Sequence, residues 1–540
     1  MNQKITHIFL LLLVCYFSFF IHNRLIYADI MESRNLVTAR EIVADGNWLI
    51  PTMNGVLRLE KPPLPTWVAA GIEILAPDDI ALQRAAAGIM ATMLVFFLYF
   101  FVTHHMRSRQ LGLFSALILC TSFNIILMGR VATWDIYCHS FMLGGIYFLF
   151  HIGEKSGKCW KEFIGAGILM GLSFLGKGPV SFYALLLPFL IAWILIYRPS
   201  FRGKSGGLCL MIAICLLISF WWPILLLLTH RETFLSIMDK ESTAWMERNV
   251  RPWYYYWKFF LEAGIWSLVL ITSLYFPYWK KRFFLKKEYL FAVCWVLLIL
   301  IFLSFMPEKK TRYLLPILIP SAIVVAHFFY YYWEKQKNSF FEKSDKWAWR
   351  INTLVLASII GLLPVGGYWF FFQTGKMSLP FFVGFALSIE LLAVWLFFSA
   401  WRYKVQHFLW GILGLFFLIE AVMLPVVVSF FNNPHLNSIH AVREMEELEG
   451  IPFYYDCDEE LRIEIVYEAG RKILPYCFRH TQNFPSLPFV LVSAESPESV
   501  FNAAQLEQVQ LKHIGKYDDN KRPENRSLFV RYVTLVTAKE

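Results

Sequence analysis

Charge is scarce in this sequence: Asp, Glu, Lys and Arg make up only 17% of its 540 residues. No Gly-rich nucleotide fingerprint is present, so nothing points to a nucleotide substrate. Repeats of a few tens of residues and low-complexity segments are also missing, which argues against solenoids and linker-like chains. Cysteine is sparse, nine in all and none in a CxxC pair. That removes the usual zinc-finger and dithiol signatures, and no other metal-ligand spacing stands out. A nucleic-acid motif is lacking too, and the net charge of +10 does not replace one.

What the chain has instead is hydrocarbon. It is 57% hydrophobic, with 51 Phe and 20 Trp. Apolar windows of about twenty residues recur along it, as a polytopic α-helical membrane protein requires. Spans are expected near 7–27, 82–103, 111–129, 135–153, 163–176, 180–197 and 207–229. Six more fall near 259–278, 289–306, 313–332, 351–372, 380–400 and 408–430, thirteen altogether. The first reads as a retained anchor, because it is long for a signal peptide and lacks a small-residue cleavage site. An odd number of spans puts the two termini on opposite sides.

Loop charge orients the bundle. Arg107 and Arg109, then Lys155, Lys158 and Lys161, then Arg198, Arg202 and Lys204 lie in alternate loops, as do Lys280–Arg282, Lys335–Arg350 and Arg402–Lys404. These loops are expected in the cytoplasm with the N-terminus; the opening loop, the 230–258 loop and the segment from 431 then face outward. Two domains follow: a membrane bundle over 1–430, with an outer loop at 28–80, and a soluble domain over 431–540. The tail carries 12 basic and 17 acidic residues, so the positive charge belongs to the membrane part. Alternation and spacing predict helices over 438–449 and 459–469 and strands over 451–455, 489–492 and 527–536, a small α/β fold. Cys457 and Cys477 lie in this tail, where an oxidising compartment permits a disulfide; two free thiols are the other possibility.

The outer loop concentrates the scarce charge. Asp29 and Glu32 are three residues apart, close to Arg34, and on a helical turn they share a face. They form either a partly desolvated general base or an interfacial charge pair with Arg34 or Arg24. Residues 35–44 have the spacing of an amphipathic helix lying at the interface, and a second one is expected near 64–76. Asp135, between two spans, reads as a cap, a partner of Arg130, or a functional acid. Lys177 among glycines either meets a phosphate or snorkels. The run Glu308-Lys309-Lys310-Thr311-Arg312-Tyr313 places cations at an outer span end, against the positive-inside trend, which suggests an anionic head group there. Glu390 and Glu420 lie within spans and read as hydrogen-bonded core acids or relay groups. His104-His105 reads as surface. A secondary transporter would show more ionisable groups at midplane.

At these residues the chain resembles the bacterial aminoarabinose transferases that modify lipid A, and the wider group similar to protein O-mannosyltransferases. The matching pieces are Glu32-Ser33-Arg34, Ala39-Arg40-Glu41, Gly46-Asn47-Trp48, Pro51 and Glu60-Lys61-Pro62, followed by Ala132-Thr133-Trp134-Asp135, Lys177-Gly178 and Tyr313-Leu314-Leu315-Pro316. The family's Asp position falls on Met31, so either Asp29 or Glu32 would supply its carboxylate, with Asp29 slightly favoured.

The resemblance implies a GT-C fold in the inner membrane and a sugar donor carried on polyprenyl phosphate. The acceptor would be lipid A or another envelope glycan or protein. Catalysis would fall to Asp29, Glu32 and Asp135. Arg34, Glu60, Lys61, Lys177, Lys310, Arg312 and Tyr313 would bind substrate, the cations neutralising the leaving phosphate. No cofactor is implied with certainty, and a divalent cation stays open. Two further readings stand beside this one: a flippase for lipid-linked sugars, and an inactive lipid-binding homologue suggested by Met31.

Overall fold

Most of the apolar windows become helices. The computed structural model describes residues 3–539 other than 156, 283, 339, 482 and 523–525. Among the described residues nine helices are long and apolar enough to cross a membrane, or ten if the bent pair Arg109–Cys120 and Phe123–Gly129 counts as one span. Three of the thirteen expected spans fall on other helices. Gln3–Phe19 has 17 residues and is about 26 Å long at 1.5 Å per residue, shorter than a hydrocarbon core of about 30 Å. Trp160–Lys177 carries Lys161, Glu162 and Lys177, and Phe182–Tyr197 is again short. The bent pair turns by 67°. At its break Thr121 and Ser122 donate their hydroxyls to the carbonyls of Leu117 and Ile118, at 2.6 and 2.7 Å. Such back-bonding is a known cause of helix bending.

The chain forms two compact units. The first comprises Met1–Asn23, Glu60–Pro65 and Arg84–Val426. Thr311–Lys335 is its most buried span; it packs on Arg109–Cys120 and Lys286–Phe305. Trp134–Glu154 lies along Trp160–Lys177, which lies along Ser205–Thr229 in turn. One close approach positions the chemistry. A Cβ on Gly176 would come within 3.2 Å of the Cys138 backbone, so a larger residue would push the end of one helix a few tenths of an ångström from the start of the other.

The second unit comprises Arg24–Leu59, Thr66–Gln83 and Val427–Glu540. Most of the outer loop therefore groups with the tail. Its helix runs from Ile30 to Asp45, starting five residues before the predicted one, and Leu64–Leu75 is the expected second helix. Between them lies a hairpin that the sequence reading did not contain: β1 (Thr52–Met53) and β2 (Val56–Leu57), turned by Asn54-Gly55 with both φ positive. Glu41 secures it, accepting from the Thr52 hydroxyl at 2.7 Å and the Gly55 N–H at 3.1 Å.

The tail strands are β3 (Phe453–Asp456), β4 (Ile473–Tyr476), β5 (Phe489–Ser493), β6 (Val509–Asp518) and β7 (Val530–Ala538). They form one mixed sheet in the order β4-β3-β5-β7-β6, parallel between β3 and both its neighbours and antiparallel beyond β5. Its core gathers Phe478, Phe489, Leu491, Phe501 and Val536. The predicted helix over 438–449 is instead two short 3₁₀ turns, Ile439–Glu444 and Glu446–Leu448. The chain opens at Met445 beside Arg443, whose guanidinium binds the carbonyls of Tyr467 and Glu468. The second predicted helix is shorter, Ile463–Ala469. Cys457 and Cys477 are joined in a disulfide.

Candidate functional site

In the first unit, Asp135 lies in the first turn of the helix Trp134–Glu154, whose N-cap, Thr133, has extended backbone. Lys177 ends the helix Trp160–Lys177 and is followed by Gly178 at φ +72°. Gly176 brings the two ends together, and the Lys177 ammonium donates to the Asp135 carboxylate. Both side chains are almost wholly buried. A buried ion pair rarely stabilises a fold more than apolar residues of the same volume would, so stability alone gives little reason for it. His139 follows one turn after Asp135, fully buried, with its Nδ1 lacking a hydrogen-bond partner among the described residues.

The span-end run predicted to meet an anion comes to the same place. The Tyr313 ring has Lys177 Nζ at 5.0 Å, Lys310 Nζ at 5.8 Å and the Arg312 guanidinium carbon at 5.7 Å from its centroid. Three cations around one aromatic ring repel one another unless something negative lies nearby. Glu308 supplies part of it, taking Lys310 Nζ at 2.5 Å, the Tyr313 hydroxyl at 2.9 Å and Arg248 Nε at 3.5 Å. Burial opposes the charged form of Glu308, but these donors outweigh it and hold the carboxyl below its ordinary range. Burial pulls Lys310 below the usual lysine value. The Tyr256 hydroxyl accepts from the Lys310 N–H at 3.0 Å, fixing the backbone of the run.

Lys61 also lies in this unit, with its Nζ 2.9 Å from Glu241 Oε2. Glu241 belongs to the helix Arg231–Glu247, of which Phe234 is the buried residue. Glu60, beside Lys61, is half-buried. The cluster thus unites Asp135, Lys177, Lys310, Arg312 and Tyr313, while Lys61 has a partner of its own. Glu308, His139 and Glu241 escaped the sequence reading. Glu308 stood inside the basic run and was visible there; Glu241 is 180 positions from its partner and gave no signal.

Asp29, Glu32 and Arg34 belong to the second unit. Asp29 stands just outside the helix that holds Glu32. It is the N-cap of Ile30–Asp45, accepting from the N–H groups of Met31 and Glu32 at 2.9 and 2.8 Å. Glu32 is buried, and the Arg34 Nε is buried without a hydrogen-bond partner among the described residues. Arg24 turns away from Asp29 and pairs with Asp79 at 2.7 Å.

Arg130 does not pair with Asp135; it binds Glu420 at 2.7 Å and the carbonyls of Ser18 and Phe17. Glu420 is therefore a paired core acid, whereas Glu390 is exposed. His105 is not on the surface but buried against Glu154, 2.7 Å away, because the end of its helix packs on Trp134–Glu154.

Comparison with known proteins fits this geometry. Residues 60–222 match the family model described as dolichyl-phosphate-mannose-protein mannosyltransferase. Across 99% of this chain and 98% of the other, the structure superposes on the crystal structure of ArnT from Cupriavidus metallidurans bound to undecaprenyl phosphate, with a TM-score of 0.68 at 15% identity. The fold is that of the arabinosyl transferases. An uncharacterized protein of Aquifex aeolicus is 26% identical over 343 residues, 60% of this chain and 64% of its own length. Undecaprenyl phosphate-alpha-4-amino-4-deoxy-L-arabinose arabinosyl transferase 2 of Proteus mirabilis is 22% identical over 438 residues, 77% of this chain and 72% of that enzyme. The match to the first of these relatives thus covers less than two thirds of its length. The resemblance drawn from the short motifs holds, and so does the GT-C fold it implied.

Proposed function

We propose that the chain is a membrane glycosyltransferase taking a sugar from a polyprenyl (undecaprenyl) phosphate donor to an acceptor at the outer face of a bacterial inner membrane. The observation that carries this reading is the gathering of Lys177, Lys310 and Arg312 around Tyr313. That arrangement suits a leaving phosphate, whose charge grows as the glycosidic bond breaks. An acceptor hydroxyl attacks the anomeric carbon and the new C–O bond forms. The bond from that carbon to the phosphate oxygen breaks, and the polyprenyl phosphate leaves with the electron pair. A carboxylate receives the acceptor's proton. Asp29 and Glu32 are the first candidates, and Asp135, held by Lys177, orients the sugar. Arg34, with its buried Nε, adds positive charge. Lys61 takes phosphate by exchanging Glu241 for it, since a carboxylate and a phosphate oxygen offer the same ammonium the same kind of bond.

In this reading residues 1–430 form the catalytic membrane domain, with a cytoplasmic N-terminus, and 431–540 a periplasmic domain. The Cys457–Cys477 disulfide supports an oxidising location for the tail. The acceptor is lipid A or another envelope glycan or protein. The flippase reading is weakened, because one of its two intramembrane acids, Glu420, is paired with Arg130. Purified chain given a polyprenyl-phosphate sugar and envelope acceptors should lose transfer in Lys177→Met and Lys310→Met/Arg312→Met. Undiminished transfer in both folded variants contradicts the site.

A further inference from the structure

The helix after Lys177 begins irregularly, and Pro188 is the cause. Proline has no N–H to offer the carbonyl of Ala184, four residues back, and its ring crowds that carbonyl. The chain opens into a π-turn over Phe182–Leu186, where the Leu187 N–H reaches back five residues to the Phe182 carbonyl. Such turns are rare in helices overall but common at functional sites. This one is fixed on two sides. The Ser181 hydroxyl donates to that of Ser173, which donates to the Cys138 carbonyl, both at 2.6 Å. Trp295 Nε1 donates to the Leu185 carbonyl at 3.2 Å.

The turn packs on the helix that carries Asp135 and on the helix that follows Tyr313, so it adjoins both halves of the candidate site. Tyr183 lies in it, half-buried. Its ring reaches the field of the Asp135 and Glu308 carboxylates and of the Tyr256 hydroxyl. Its own hydroxyl makes no hydrogen bond among the described residues. A tyrosine sunk in an apolar helix normally finds a partner for that group. Asp135 shows the complementary gap. Lys177 takes its Oδ1, and Oδ2 has no hydrogen-bond partner among the described residues.

We propose that Tyr183 and the second carboxylate oxygen of Asp135 together hold one hydroxyl of the transferred sugar. The phenol donates to the sugar oxygen, and the sugar hydroxyl in turn donates to Asp135 Oδ2. A sugar hydroxyl is donor and acceptor at once, which is what this pair requires. A phosphate oxygen has no proton to offer Asp135, and the carboxylates of Asp135 and Glu308 repel its charge. The assignment rests on the transferase reading and adds to it a residue that recognises the sugar, beside the cations that meet the phosphate.

The test measures lipid binding by the full-length protein in detergent with no acceptor present. The probes are undecaprenyl phosphate alone and undecaprenyl phosphates bearing a pentose, an aminopentose or a hexose. The wild-type protein should bind at least one sugar-bearing lipid more tightly than the bare one. Tyr183→Phe, which removes a single oxygen, should bind that lipid about fivefold more weakly. Its affinity for the bare lipid and its thermal midpoint should not change. Equal weakening toward both lipids makes the tyrosine structural and overturns the proposal. An undiminished sugar preference in Tyr183→Phe overturns it, as does a wild-type protein that has none. Unchanged donor binding with a raised KM for the acceptor also overturns it, by giving the hydroxyl to the acceptor. Binding of neither kind of lipid by the wild-type protein contradicts the transferase reading itself, and this proposal with it.

Discussion

At the residue scale, the buried Asp135–Lys177 pair separates stability from chemistry. Removing one partner leaves a lone buried charge, at a cost of about 3–5 kcal/mol. Asp135→Asn and Lys177→Met should therefore unfold more readily in detergent as well as lose activity. The double variant Asp135→Leu/Lys177→Met should recover most of the stability and none of the activity, read by thermal unfolding and by turnover on the same sample. Recovery of both would make the pair structural only. Glu241→Gln offers a second test: with the carboxylate gone from Lys61, the apparent KM for the lipid donor should fall several-fold while kcat changes little. The sequence named the residues of the cluster but not their partners. Asp135 had Arg130 five positions away as the obvious mate, yet Arg130 is taken by Glu420, 290 positions on. Pairings between spans are set by packing, and no local spacing encodes them.

At the element scale, the helix Ile30–Asp45 was legible from its periodicity, but its start was not, because Asp29 serves as the cap. That role gives Asp29 a discriminating test. Asn caps a helix about as well as Asp, whereas Ala costs about 1 kcal/mol. Asp29→Asn should leave hydrogen exchange in residues 30–36 unchanged; if Asp29 is the proton acceptor, it should also lower turnover by about a hundredfold or more. Normal turnover in Asp29→Asn passes the role to Glu32. The tail shows a comparable limit. The strands β3, β5 and β7 were legible, while the helix over 438–449 was not to be had, because Arg443 is drawn onto the end of Ile463–Ala469.

A pH effect belongs to the same region. Burial raises the Asp519 carboxyl to about 6, above its value of about 3.9 in an unfolded chain. The folded state then binds this proton more tightly, so its contribution is complete at low pH and is lost as pH rises through about 6. Protection of the 515–520 backbone should fall over that interval, and Asp519→Asn should flatten the profile. An unchanged slope in the variant would remove Asp519 as its cause.

At the scale of the whole molecule, the apolar runs and loop charges made the membrane class and the thirteen helical segments legible, though three of those segments are too short or too charged to cross by length and composition. The grouping of the outer loop with the tail was not legible, since it rests on contacts such as Asn54 with Ile473, 419 positions apart. The disulfide ties the account to the compartment. It closes a stretch of 20 residues, worth about 3 kcal/mol in the chain-entropy view, so Cys457→Ser should lower the thermal midpoint of the tail. An equally stable variant would show the bond to be dispensable.

Transfer from a lipid phosphate can be read out in reconstituted protein. Proteoliposomes loaded with a radiolabelled polyprenyl-phosphate sugar and envelope acceptors should yield labelled acceptor and free polyprenyl phosphate in equal amounts, and the Lys177→Met protein should yield neither. Movement of the intact lipid-linked sugar across the bilayer with no phosphate released, or no release with any acceptor, would contradict the account.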